Sequence, residues 1–222
     1  MLALIVASLF VSLLLFSSSV VESAVVCPPA EAYSPCKCVE TAFVREIYKP
    51  GTIYLQCYER NLSDSRLSDI LDAFLTTPGV SLVGKLGLSF NQLTRVPKQI
   101  KLLPQVVAVD LKGNNISSIE SGAFNFTTLQ FLEMQKSQVV KIAPGAFQGN
   151  ISLLSIIKNM LFQGKNNAIT GNGKVSSIDL RNNNFTRFEA NVFQSLLERG
   201  HAQASNTPHL FMIIKNSKQS FS

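Results

Sequence analysis

Four cysteines, Cys27, Cys36, Cys38 and Cys57, carry the most distinctive chemistry in this chain, and all of them fall early. An even number of cysteines clustered behind an export signal reads as two disulfides. A zinc site would need two matched C-x2-C pairs, and Cys36-x-Cys38 has the wrong spacing, so no metal ligand is assigned. Three connectivities are open, of which the one joining Cys36 to Cys38 is disfavoured by local geometry. Each bridge of the other two closes a loop of roughly 10 to 30 residues, worth about 2–4 kcal/mol.

Catalytic chemistry is poorly supplied elsewhere. The only histidines, His201 and His209, lie near the end of the chain. With the cysteines committed to bridges, no thiol nucleophile is left. No H-E-x-x-H, G-x-S-x-G or glycine-rich phosphate loop occurs. The chain is therefore expected not to be an enzyme and to carry no cofactor and no metal. Carboxylates remain, and their meaning depends on the elements that hold them.

Those elements follow a 23-residue period. Val83-x-x-Leu86-x-Leu88-x-x-Asn91-x-Leu93 repeats as Val106-x-x-Val109-x-Leu111-x-x-Asn114-x-Ile116, then as Leu129-x-x-Leu132-x-Met134-x-x-Ser137-x-Val139. Two periods later comes Val175-x-x-Ile178-x-Leu180-x-x-Asn183-x-Phe185. Phe124, Phe147 and Phe193 keep the same register, ten residues past the Asn-type position. This is the leucine-rich-repeat pattern. Its alternating segment predicts a short strand in each coil, with the leucines inward. The Asn amide can donate to and accept from the backbone of adjacent coils, so Asn91, Asn114 and Asn183 are read as structural. Stacked coils give an α/β solenoid (a horseshoe) with a parallel sheet on its concave face.

The period places the outward residues of the sheet. Asp110, Glu133 and Asp179 share one register position, and Lys112, Gln135 and Arg181 stand beside them. Adjacent strands are about 4.8 Å apart, so Asp110 and Glu133 are expected as mutually repelling neighbours. With Lys85 and the aromatic side chains of Phe90 and Phe131, these nine residues form the expected partner-binding face. A curved sheet supplies contact area without chemistry, and exposed aromatics there make credible anchors.

The chain has 222 residues, 46% hydrophobic and only 15% charged, with a formal net charge of +6 and no Trp. That excludes an intrinsically disordered chain. No Lys/Arg block occurs, so nucleic-acid binding is not expected. Attraction to acidic or microbial glycans is the alternative that the mild positive charge allows. Met1 to Phe16 is uncharged and runs into small residues ending at Ala24, so residues 1–24 read as a secretory signal peptide, although the usual initial Lys or Arg is missing. No second long apolar run follows, so the mature chain is expected to have no membrane span. Five sequons begin at Asn61, Asn115, Asn125, Asn150 and Asn184, the pattern of a secreted, extracellular glycoprotein.

Ahead of the repeats, Asp64–Leu75 reads as an amphipathic helix with Leu67, Ile70, Leu71 and Phe74 on one face, capped by Asp64 or Ser65. Cys27-x8-Cys36-x-Cys38-x18-Cys57 before these repeats resembles the N-terminal cap of extracellular leucine-rich-repeat proteins. That resemblance implies Cys27–Cys38 and Cys36–Cys57 pairing. The opening Cys27-Pro-Pro-Ala-Glu-Ala-Tyr-Ser-Pro-Cys-Lys-Cys38 is similar, more narrowly, to arthropod secreted proteins related to the oplophorus-luciferin 2-monooxygenase non-catalytic subunit family. This likeness implies a protein partner and no activity of the chain's own.

The expected organisation is a signal peptide at 1–24, a cysteine-rich cap at 25–80, about five repeats at 81–198 and an irregular tail at 199–222. The fourth repeat, roughly 152–174, reads as degenerate, with Asn and Phe out of register, and its Gly- and Asn-rich stretch 164–174 reads as a loop. No C-terminal cysteine cap occurs. The last coil is left uncovered, the sequence is part of a longer chain, or Leu210–Asn216, which echoes Leu153–Asn159, supplies a covering strand.

Overall fold

The protein was analysed as a computed structural model, which describes residues 27–41, 52–77, 83–125, 128–147, 151–156, 159, 163–164, 177–179, 183, 187–188 and 211–213. The expected signal peptide, Arg181, Phe193 and the sequons at Asn150 and Asn184 lie outside the described residues, as do positions 165–174 of the expected loop.

Alternation at Ile53, Leu55 and Cys57 is realised as strand β2 (Thr52–Gln56). It pairs antiparallel with β1 (Lys37–Thr41) and parallel with β3 (Val83–Gly87). Each later coil adds one parallel strand: β4 (Ala108–Asp110), β6 (Phe131–Glu133), β8 (Leu153–Ser155), β10 (Ser177–Asp179) and β12 (Phe211–Ile213). The eight form one sheet in the order β1-β2-β3-β4-β6-β8-β10-β12. On the outer arc, β5 (Ser118–Ile119) pairs with β7 (Lys141–Ile142), and β9 (Gln163–Gly164) with β11 (Arg187–Phe188). This is a leucine-rich-repeat solenoid.

The period decides what is buried. Leu55, Leu86, Val109, Leu132 and Leu154 align across the sheet and point inward, fully or almost fully buried. Behind them lie the rows Cys57, Leu88, Leu111, Met134, Ile156 and Leu62, Leu93, Ile116, Val139. Phe124 and Phe147 close the far side, their rings stacked 5.4 Å apart. Each such aliphatic or aromatic side chain taken out of water contributes about 1.5–3 kcal/mol. In the first coil, which lacks that Phe, Ile100 from a 3-10 turn over Lys98–Leu102 fills the position together with Leu103.

Turn asparagines join one coil to the next. Asn91 donates through Nδ2 to the carbonyls of Cys57 (2.7 Å) and Leu88 (3.0 Å) and accepts from the amides of Arg60 and Leu62. Asn114 repeats this one coil on, to the carbonyls of Leu88 and Leu111 and from the amide of Leu93. The Leu88 carbonyl thus serves two coils. Ser137 is too short to do the same. Its hydroxyl reaches the Leu111 carbonyl at 3.4 Å, a marginal bond.

The fourth coil departs from the degenerate reading. Ile151-x-x-Leu154-x-Ile156-x-x-Asn159 carries the pattern one residue early, and Leu154 pairs in register with Leu132. Asn159 donates to the Met134 carbonyl at 2.6 Å and accepts from the Val139 amide at 3.3 Å. A strict 23-residue period hides this coil because the preceding coil is one residue short. The fifth regains register, and Asn183 donates to the Ile156 carbonyl at 2.7 Å. Gly164, placed in the expected loop, pairs with Phe188 in the outer arc. The tail is also not wholly irregular: Phe211–Ile213 adds a strand beside β10, with Phe211 level with Leu153, one residue off the alignment the echo of Leu153–Asn159 implies.

Two disulfides, Cys27–Cys38 and Cys36–Cys57, hold the cap. A short helix α1 (Ala30–Tyr33) packs on α2 (Asp64–Thr76), with the Tyr33 and Phe74 rings 5.9 Å apart. Leu67, Ile70, Leu71 and Phe74 form the buried face of α2. Ser63, not Asp64 or Ser65, caps this helix and accepts from the Arg66 amide. Asp64 is engaged elsewhere, accepting from the Thr94 amide and hydroxyl in the next coil.

The ladder predicts a graded response. Asn114→Ala should lower stability by roughly 1–3 kcal/mol, because the buried Leu93 amide loses its acceptor and the Leu88 and Leu111 carbonyls each lose one of their donors. Ser137→Asn should raise it by about 1 kcal/mol by completing the row. Urea unfolding midpoints at unchanged slope check both.

Candidate binding face

Two columns of outward side chains cross the sheet. One runs Gln56, Gly87, Asp110, Glu133, Ser155, Asp179, and the other Tyr54, Lys85, Ala108, Phe131. Lys112 and Gln135 follow their strands and form a third. Lys85, Asp110, Lys112, Phe131, Glu133 and Gln135 all remain partly exposed.

Asp110 and Glu133 are register partners, as their spacing implies, and a cation answers their repulsion. Lys112 Nζ lies 2.7 Å from Glu133 Oε2 and 3.7 Å from Asp110 Oδ2. Asp110 Oδ1 also accepts from the Lys112 amide at 3.0 Å. Burial pulls the Lys112 ammonium towards a lower pKa. The Glu133 hydrogen bond and the attraction of Asp110 and Glu133 outweigh burial and hold it above the usual lysine value. This contribution is fully present at neutral pH and is lost only as alkali deprotonates Lys112. Gln135 Nε2 donates to Ser155 Oγ at 3.2 Å and extends the polar network to the fourth coil.

Tyr54 is a member of this face that the repeat pattern misses, because it sits in the cap strand. The Lys85 ammonium lies 4.5 Å above its ring centroid. The ring lies across Gly87, where an added Cβ would come within 2.6 Å of Tyr54 Oη and 3.0 Å of its Cε2. Alternation at Ile53, Leu55 and Cys57 already implied that Tyr54 points outward, and that signal could have found it.

Asp179 keeps the register position expected for it, with Ser155 of the fourth strand between it and Glu133, but it is buried, 8% exposed. Phe90 lies beyond its strand, in a turn with φ +56°, and is 48% exposed. Glu59, Gly113 and Lys136 hold the same place in their coils with φ of 54°, 63° and 54°. This left-handed position suits only glycine without strain. Gly113 also leaves room for the Phe90 ring, which a Cβ there would strike. The ring therefore covers the backbone of the next coil at the edge of the face. Among the described sequons, Asn61, Asn115 and Asn125 are exposed. Also among the described residues, no cluster of His, Cys, Asp and Glu could hold a metal ion, and no helix is long and apolar enough to cross a membrane.

No protein-family model matches the chain. It is similar to Tsukushi-A of Xenopus laevis, 27% identical over 115 residues, covering 50% of this chain and 33% of that protein. It is also similar to Tsukushi of Xenopus tropicalis, 26% identical over 99 residues, covering 44% of this chain and 28% of that one. The chain thus spans about a third of the length of the curated relatives it matches. The crystal structure of human 5T4, a trophoblast glycoprotein, superposes with a TM-score of 0.41 at 15% identity, covering 86% of this chain and 81% of that one. Repeat topology and the disulfide-bonded cap together define a leucine-rich-repeat solenoid with an N-terminal cap.

Two consequences can be measured. Lys112→Met leaves two carboxylates side by side and should cost about 1 kcal/mol at pH 7. The loss should shrink in alkali, as the pH rises through the raised Lys112 value and the wild-type ammonium is deprotonated, visible in urea unfolding across pH. Gly87→Ala should cost roughly 1–3 kcal/mol through collision with Tyr54. In a double-mutant cycle, Tyr54→Ala should recover part of that loss.

Proposed function

We propose that this chain is a secreted, glycosylated, non-catalytic binding or scaffold protein that holds a protein partner on the outward side of its sheet. The similarity of the cap sequence to the luciferase non-catalytic subunit family supports a stabilising role towards a small secreted partner. One observation carries the reading: successive coils set charged, amide and aromatic side chains (Lys85, Asp110, Lys112, Phe131, Glu133, Gln135) in fixed columns, partly exposed and spaced at strand intervals. Regular spacing of mixed polar and aromatic groups suits a protein surface. Capture of acidic glycans has less support on this face, since Lys112 is held by two carboxylates.

The test is recovery of the tagged chain from secreted fluid, identification of co-purifying chains and reconstitution of the purified pair. Asp110→Arg with Glu133→Arg should weaken the reconstituted pair at least tenfold, about 1.4 kcal/mol, while the circular dichroism melt stays cooperative. Gln135→Asn, which completes an acceptor triplet with Lys136 and Ser137, should block binding through the bulk of an added glycan. Unchanged affinity in both variants would place the partner on the outer arc instead. Retention on a sulfated-glycan column that 0.5 M salt abolishes, with no partner chain recovered, would favour glycan capture.

A further inference from the structure

We infer that Asn61 and Asn115 are a matched pair of N-glycan attachment sites that line one flank of the sheet. The fold relates two sequons that look unconnected in the chain. Asn115 directly follows the turn residue Asn114, and Asn61 directly follows Arg60, which holds the same turn position in the cap coil. Between them stands Gln92, after Asn91, and beyond them Gln138, after Ser137. Backbone bonds confirm the column: the Gln92 amide donates to the Leu62 carbonyl, that of Asn115 to Leu93 and that of Gln138 to Ile116. All four side chains are exposed, whereas the turn residues Asn91, Asn114 and Ser137 beside them are buried.

The local chemistry suits attachment. Gln92 Nε2 donates to Asn61 Oδ1, which engages the oxygen and leaves Nδ2, the atom that carries the sugar, uncommitted. Transfer from a lipid-pyrophosphate-linked oligosaccharide forms the Nδ2–C1 bond. The C1–O bond to pyrophosphate breaks and its electron pair leaves with the phosphate, while the amide gives up one proton. Oδ1 still accepts afterwards, so the Gln92 contact survives modification. Two strand spacings, about 10 Å, separate the two sites, so the glycans stand on alternate coils and Gln92 occupies the gap. Sugars on this column close one flank and leave the outward columns of Tyr54 and Asp110 uncovered.

The test uses the full chain secreted from a eukaryotic host, independent of any partner. Enzymatic deglycosylation in heavy-oxygen water, followed by peptide mass spectrometry, should find labelled aspartate at both 61 and 115. Gln92→Asn completes a triplet with Leu93 and Thr94 in the middle of the column. It should add one glycan step on a gel while keeping the parental level of secretion and melting temperature. An unmodified Asn61 or Asn115 in the secreted chain would overturn the pair. A Gln92→Asn variant that is not glycosylated, or whose secretion collapses on glycosylation, would overturn the open flank.

Discussion

A coil of this length cannot satisfy its own turn. Where the chain leaves the sheet, backbone amides and carbonyls face a dry interior, and each one left alone costs about 1–3 kcal/mol. The side chain of one asparagine per coil answers several of them at once, and it does so by reaching into the neighbouring coil. Asn91 and Asn114 both donate to the Leu88 carbonyl, so no coil is complete until the next one has formed. The sheet, the buried rows and the spacing of the outward face all follow from that mutual dependence. It also explains why the first coil needs a cap. Cys57 presents its carbonyl to Asn91, and its disulfide to Cys36 fixes the strand that offers it.

Charge on the sheet is partly compensated at short range. Asp110 and Glu133 would repel at strand spacing, and the side chain two residues after Asp110 turns back to lie against both. The resulting cluster ties both carboxylates to one ammonium. It is a good orienting device, because three side chains are held in set positions before anything binds. The Lys85 ammonium over Tyr54 applies the same economy at the cap end of the face.

Much of this was legible from residue order alone. The cysteine cluster, four of the coils, the inward rows and the Asp110–Glu133 apposition follow from spacing, because spacing sets strand register. What escaped did so for local reasons. The fourth coil was hidden by a single missing residue, which a fixed period reads as loss of pattern although Ile151, Leu154, Ile156 and Asn159 are all present. Tyr54 was overlooked because its strand belongs to the cap, outside the 23-residue count. The backbone at Phe90 is hidden because sequence does not reveal that its position is a left-handed turn in every described coil from the cap to the third.

The short third coil has a broader consequence. Leu132 and Leu154 stay in register although the path between them is one residue shorter than its predecessors, and the next coil restores the difference. The change in length thus leaves the sheet undisturbed. The inner wall behaves as a ruler with fixed gradations. Insertions and deletions outside the strands can change a coil's length while the outward face of the sheet keeps its geometry.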